Sequence, residues 1–130
     1  MRLHHVAVVC SSRENADRFY GGILGLQQTK TSVLNKELAE KIFDIELECE
    51  FILYGNENFT VEVFVIPAAQ QKMTPVAHLC LEVDNKEEFA RNCQVKELET
   101  KIIPRGNALL VFVKDYDGNL FEIKDLQGGK

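Results

Sequence analysis

The chain has 130 residues, 45% of them hydrophobic, and a formal net charge of -5, which is enough apolar material to bury one core without disulfides. Its acidic residues are dispersed and no basic block is present, so nothing in the sequence draws nucleic acid or an anionic membrane. No stretch approaches the roughly 20 consecutive apolar residues that cross a bilayer. The expectation is a soluble, cytoplasmic chain forming a single domain over residues 1–130.

Leu3 to Cys10 reads as a first strand, and the two histidines near its front and the lack of a small-residue cleavage site argue against a signal peptide. Ser11, with Glu14 three residues on, predicts a capped helix start, and Ala16, Phe19, Tyr20, Ile23 and Leu24 recur at helical spacing until Gly25 closes the segment. Leu26 to Leu34 reads as a second strand. Asn35 to Ile45 reads as a short amphipathic helix or lid-like excursion through Leu38, Ala39, Ile42 and Phe43. Glu50 to Tyr54 and Phe59 to Ile66 then form two strands around the turn at residues 55–58, and Pro67 ends the half.

The plan repeats. Pro75 to Val83 reads as a strand, Asp84 with Glu87 predicts the next helix cap, and Phe89, Ala90, Cys93 and Leu98 line that helix. Thr100 to Ile103, Ala108 to Val113 and Leu120 to Leu126 read as three further strands, joined by turns at 104–107 and 115–119. Two βαβββ half-repeats result, at about 1–67 and 75–126, and neither half of such a repeat buries its sheet alone. Asp115-Tyr-Asp-Gly resembles the start of a calcium loop but lacks the later ligands, so it reads as a turn. Cys10, Cys49, Cys80 and Cys93 include no C-x-x-C pair and read as reduced, mostly buried thiols.

Strand alternation places His5 on the face opposite His4, Val6 and Val8, and Glu62 opposite Val61, Val63 and Val65. It likewise places His78 and Cys80 opposite Leu79 and Leu81, and Glu122 opposite Phe121 and Ile123. Each half thus offers one His and one Glu; the histidines are 73 residues apart and the glutamates 60, so an insertion of 13 falls in the first half, near 35–45. A carboxylate within a Val-Glu-Val or Phe-Glu-Ile strand costs several kcal/mol to desolvate unless it is compensated. One divalent ion held by two imidazoles and two carboxylates balances that charge, and the donor set suits Zn²⁺, Ni²⁺, Co²⁺, Fe²⁺ or Mn²⁺. The alternative is structural: packed or hydrogen-bonded histidines, with the glutamates solvated or paired to Lys124 or Arg105. His4, on the helix-facing side, reads as structural.

Four segments together resemble the vicinal oxygen chelate superfamily, which includes glyoxalase I, methylmalonyl-CoA epimerase, extradiol dioxygenases and the bleomycin and fosfomycin resistance proteins. They are Leu3 to Val8, Phe19 to Gly25, Val76 to Val83 and Asp115 to Glu122. The resemblance implies an α+β fold of two paired βαβββ modules forming an incomplete eight-stranded barrel around a metal held by His5, Glu62, His78 and Glu122. The order His, Glu, His, Glu is similar to bacterial-type glyoxalase I, whereas dioxygenases and fosfomycin enzymes commonly use two His and one Glu. It therefore implies a lyase or isomerase with one Ni²⁺, Co²⁺ or Zn²⁺ ion, acting on a small oxygenated substrate such as a thiol adduct. In that chemistry Glu122, with Glu62 on the opposite face, abstracts a proton and the metal stabilises an enediolate. Glyoxalase I carries an Arg near the exit of its first strand; here Val9, Cys10, Ser11 and Ser12 stand there, with Arg13 nearest. Phe64, Leu110 and Phe112 are candidate pocket residues, and the resemblance implies a homodimer. The alternatives are a binding or resistance protein of the same fold and a coenzyme A ester epimerase.

Overall fold

The computed structural model describes residues 3–71 and 76–126; the predicted strand start at Pro75 lies outside them. The chain divides into two compact units, residues 1–72 and 73–130. In the first, strand β1 (Val6–Cys10) leads into helix α1 (Arg13–Ala16), which continues as a π-helical turn over Asp17–Ile23. Strand β2 (Gln27–Leu34), helix α2 (Lys36–Phe43) and strands β3 (Cys49–Gly55) and β4 (Thr60–Val65) follow. The second unit contains β5 (His78–Val83), α3 (Lys86–Val95), β6 (Thr100–Arg105), β7 (Ala108–Lys114) and β8 (Leu120–Asp125). The fold is α+β, and both units realise the predicted βαβββ plan.

The two sheets share one topology. The strand order is β1-β4-β3-β2 in the first and β5-β8-β7-β6 in the second. In each, the first strand runs parallel to the last and the remaining pairs are antiparallel. A parallel neighbour needs a crossover, and the intervening helix and meander supply it. The insertion is the connection from Leu34 to Cys49, which contains α2, whereas β6 and β7 are joined through Gly106 and Asn107 alone. Gly106 has φ +62 there, a backbone conformation open to glycine at little cost.

One face of each sheet is the core. Val61, Val63, Ile52 and Tyr54 are buried with Ala16, Phe19 and Tyr20 in the first unit, and Val111, Val113, Phe121 and Ile123 with Ala90 and Cys93 in the second. Burying each such aliphatic or aromatic side chain stabilises the fold by roughly 1.5–3 kcal/mol. The Tyr54 hydroxyl donates to the Asp17 carboxylate, so this buried phenol keeps a partner. Burial first, and the Asp17 carboxylate second, push the Tyr54 pKa up.

Both caps lie one residue beyond their predicted positions. The Ser12 side chain, not that of Ser11, accepts from the Asn15 N–H, and Asn85, not Asp84, accepts from the Glu88 N–H. In both cases two adjacent residues have cap-forming side chains, and the second has the extended backbone of an N-cap, with its oxygen on the free N–H groups. The first helix also widens where an α-helix is predicted: the Leu24 N–H reaches the Phe19 carbonyl, five residues back. Gly25, at φ +70, ends the segment as expected.

Candidate functional site

The donors come together as two pairs of the same design. His5 Nε2 stands 3.5 Å from Glu62 Oε1, and His78 Nε2 stands 3.8 Å from Glu122 Oε1. Register explains the likeness. Glu62 is paired with Ala7 of β1, two residues after His5, and Glu122 with Cys80 of β5, two residues after His78. Each glutamate therefore sits on the last strand of its sheet beside the strand that follows its histidine, on the face away from the buried valines, phenylalanine and isoleucine. The side chains of Glu62 and Glu122 are both 19% exposed, half-sheltered in sheets whose neighbouring positions are apolar. Among the described residues neither Lys124 nor Arg105 pairs with them, and no three His, Cys, Asp or Glu side chains gather closely enough to hold an ion.

The tautomer of His78 is fixed by geometry. Its Nδ1 lies 2.8 Å from the Val76 carbonyl oxygen, which can only accept, so the neutral ring carries its proton on Nδ1 and leaves a lone pair on Nε2. That lone pair faces the Glu122 carboxylate across 3.8 Å, too far for a direct hydrogen bond and with no proton between two acceptors. A cation reconciles such a pair. Two donors each about 2.1 Å from one metal stand roughly 3.0–3.4 Å apart, so both pairs need little adjustment. The imidazole and carboxylate donor chemistry fits a divalent transition metal, with the backbone carbonyl orienting His78 from behind.

The surroundings differ between the pairs. Glu122 is flanked by Cys80 on β5 and Phe112 on β7, and the Phe112 ring meets the His78 ring edge-on at 6.0 Å. Cys10, Cys49 and Cys93 are buried, whereas Cys80 is exposed. Desolvation first, and the Glu122 carboxylate next, push its thiol pKa up, so it remains a neutral thiol at pH 7. Glu62 is flanked by Ala7 and Leu53. Leu110 lies two residues from Phe112, on the same face of β7 and partly buried. Phe64 is 7% exposed and packs in a local core with Cys49 and Ile66, its ring 5.2 Å from Phe43 and 5.4 Å from Phe51.

Arg13 is committed elsewhere. Its Nη1 donates to Glu50 at 2.7 Å and its Nη2 to Thr31 at 3.2 Å, with Asp17 at 3.9 Å from Nε. The turn at Asp115 is a turn: its buried carboxylate accepts from the backbone N–H groups of Asp117 and Asn119 and from the Asn119 side chain. His4 does not take the helix-facing position predicted for it. β1 begins at Val6, not Leu3, so strand alternation governs neither residue 4 nor residue 5; the His4 ring is exposed, and its Nδ1 lies 2.8 Å from His5 Nδ1. The contact joins sequence neighbours, and face assignment alone hides it.

The profile of the Glyoxalase/Bleomycin resistance protein/Dioxygenase superfamily matches residues 4–108. The chain belongs to this superfamily, and its fold is the paired βαβββ arrangement of vicinal oxygen chelate proteins. The matched region includes His5, Glu62 and His78 and stops before Glu122. No curated protein matches the sequence. Among solved structures, the chain is similar to the genomically encoded fosfomycin resistance protein FosX from Listeria monocytogenes, with a TM-score of 0.72 and 13% identity over 98% of this chain and 95% of that one; FosX was also crystallised with Mn(II) and sulfate. A glyoxalase family protein from Enterococcus faecalis has a TM-score of 0.70 and 19% identity over 94% and 95% of the two chains. The trypanothione-dependent glyoxalase I of Leishmania major has a TM-score of 0.69 and 15% identity over 96% and 86%. At these identities the likeness is one of fold. No described helix is long and apolar enough to cross a membrane.

Proposed function

We propose that this chain is a metal-dependent lyase or isomerase of the glyoxalase I kind, with His5, Glu62, His78 and Glu122 as the ligands of one Ni²⁺, Co²⁺ or Zn²⁺ ion. The observation that carries the reading is the repeated pair: in both units an imidazole Nε2 faces a half-buried carboxylate at 3.5–3.8 Å, the two carboxylates standing on equivalent strands in equivalent register. Two carboxylates and two neutral imidazoles balance a divalent charge, and four donors of this type suit those ions. When bound, the ion supplies the Lewis acidity that polarises a substrate oxygen and acidifies the neighbouring C–H.

The chain's own groups do the rest. Glu122 takes the proton from the carbon next to a carbonyl or hemithioacetal and returns it to the adjacent carbon, so no electron leaves or enters overall. Phe112 and Leu110 form the apolar wall beside it and limit water access to the carbanionic carbon. Glu62 serves the opposite face of the substrate. The chain works as a cytoplasmic homodimer. The exposed Cys80 thiol favours a reducing compartment.

A second reading, a small-molecule-binding or resistance protein of the same fold, is favoured by Arg13. Its ion pair with Glu50 removes the cation nearest the first-strand exit, and with it an anchor for a glutathione carboxylate. That commitment points the catalytic reading toward other thiol adducts or coenzyme A esters. The test is exchange of substrate C–H in D₂O, followed by NMR, with thiohemiacetals and acyl-CoA esters as probes. The metal-loaded protein exchanges the proton, and Glu122→Gln with metal retained loses about 10²–10⁴-fold in rate. Unchanged exchange in Glu122→Gln removes Glu122 from the role; retention of a probe with no exchange selects the binding protein.

A further inference from the structure

Resting on the reading of His5 as a ligand, we propose that His4 is a positioning residue: its Nδ1 accepts the proton carried by His5 Nδ1 and thereby keeps the His5 Nε2 lone pair turned toward Glu62. Two ring nitrogens 2.8 Å apart require one donor and one acceptor, so the tautomers of His4 and His5 are tied together. If His5 donates, its Nε2 is free to ligate. If His4 donates, the proton of neutral His5 moves to Nε2, where it blocks a metal.

Two observations choose the first arrangement. His5 Nε2 is 3.5 Å from Glu62 Oε1, with no hydrogen bond between them among the described residues, whereas an Nε2–H group facing a carboxylate would be drawn in to about 2.7–2.9 Å. The second unit supplies the pattern. There the acceptor behind His78 Nδ1 is the Val76 carbonyl at the same 2.8 Å, which permits only the tautomer with a free Nε2. The first unit puts the ring nitrogen of His4 where the second uses a backbone oxygen. Such a partner behind a ligand imidazole fixes ring orientation and tautomer, and losing it typically weakens metal binding by about 10–100-fold. The two rings are nearly perpendicular, with centroids 5.1 Å apart.

The experiment uses the full chain with His4→Phe, which keeps a ring but has no acceptor, and His4→Asn, whose Oδ1 can accept in place of Nδ1. His4 is exposed and precedes β1, so neither variant disturbs a core. Imidazole ¹⁵N NMR of metal-free protein, above the ordinary histidine pKa of about 6.5, reads the His5 tautomer, and titration with Co²⁺ reads affinity. The expected result is a proton on His5 Nδ1 in the parent protein, its shift toward Nε2 in His4→Phe with Co²⁺ binding about 10–100-fold weaker, and recovery of both in His4→Asn. A proton on His5 Nε2 in the parent protein, or a tautomer or affinity unchanged in His4→Phe, overturns the proposal. A parent protein that shows the expected tautomers yet binds no Co²⁺ overturns the metal reading and leaves the His4–His5 pairing standing.

Discussion

Cys93 and Tyr54 contribute to the alkaline behaviour of the fold. Burial pushes the Cys93 thiol up from 9.0 to about 11, and burial together with Asp17 also raises the Tyr54 pKa. Between those values the unfolded chain has released its protons while the folded chain still holds them, so the slope of stability with pH is negative. The stability is whole below pH 9.0 and declines as pH climbs toward about 11. Denaturant titrations from pH about 8 to 11 check this, and Cys93→Ala flattens part of the slope whatever its packing cost. The legible part of the site also belongs to this scale. His5, Glu62, His78 and Glu122 stand out in the sequence because polar residues interrupt apolar runs; alternation aims Glu62, His78 and Glu122, whereas His5 lies just before β1. Cys80 beside Glu122 and His4 against His5 depend on strand register and ring placement, to which a hydrophobic pattern is blind.

At the scale of elements, the connection carrying α2 explains why Phe64 is core. Phe64 shares the Glu62 face of β4, which alternation alone would leave open, but Phe43, Ile45 and Leu47 come down on it with Val9, Leu34 and Phe51. Phe64→Ala therefore costs about 3–5 kcal/mol in stability, read as a lower denaturation midpoint with an unchanged m-value. Phe112→Ala, in a partly exposed strand position, costs less stability and acts mainly on substrate binding; a larger stability loss at Phe112 than at Phe64 contradicts this division. Ser12→Ala and Asn85→Ala each remove a cap worth about 1 kcal/mol, whereas Ser11→Ala leaves the Asn15 N–H satisfied. The amphipathic period of α2 is legible in the sequence because its apolar residues recur on one side. The π-helical stretch is not, because Phe19, Tyr20 and Ile23 satisfy an α-helical period equally well, and the extra residue enters only through backbone hydrogen bonding.

At the scale of the molecule, the sequence repeat is legible because the same chemistry recurs in each half, and the structure returns it as two sheets of one strand order. The 73- and 60-residue spacings also locate the insertion, since the β2–β3 connection is long where the β6–β7 connection is a tight turn. A metal bound by the folded chain and not by the unfolded one stabilises it by about 2.7 kcal/mol at a hundred times its Kd. Thermal unfolding should then shift upward by several degrees on loading, and that shift should vanish in a His5→Ala, Glu122→Ala double variant. The most direct test of the central claim is elemental analysis of protein purified without an affinity tag or chelator, beside that double variant. About one transition-metal ion per chain, lost in the variant, is the predicted result for a four-donor site. A parent protein that holds no metal even after reconstitution with Ni²⁺, Co²⁺ and Zn²⁺ would contradict it and make the chain a metal-free binding protein.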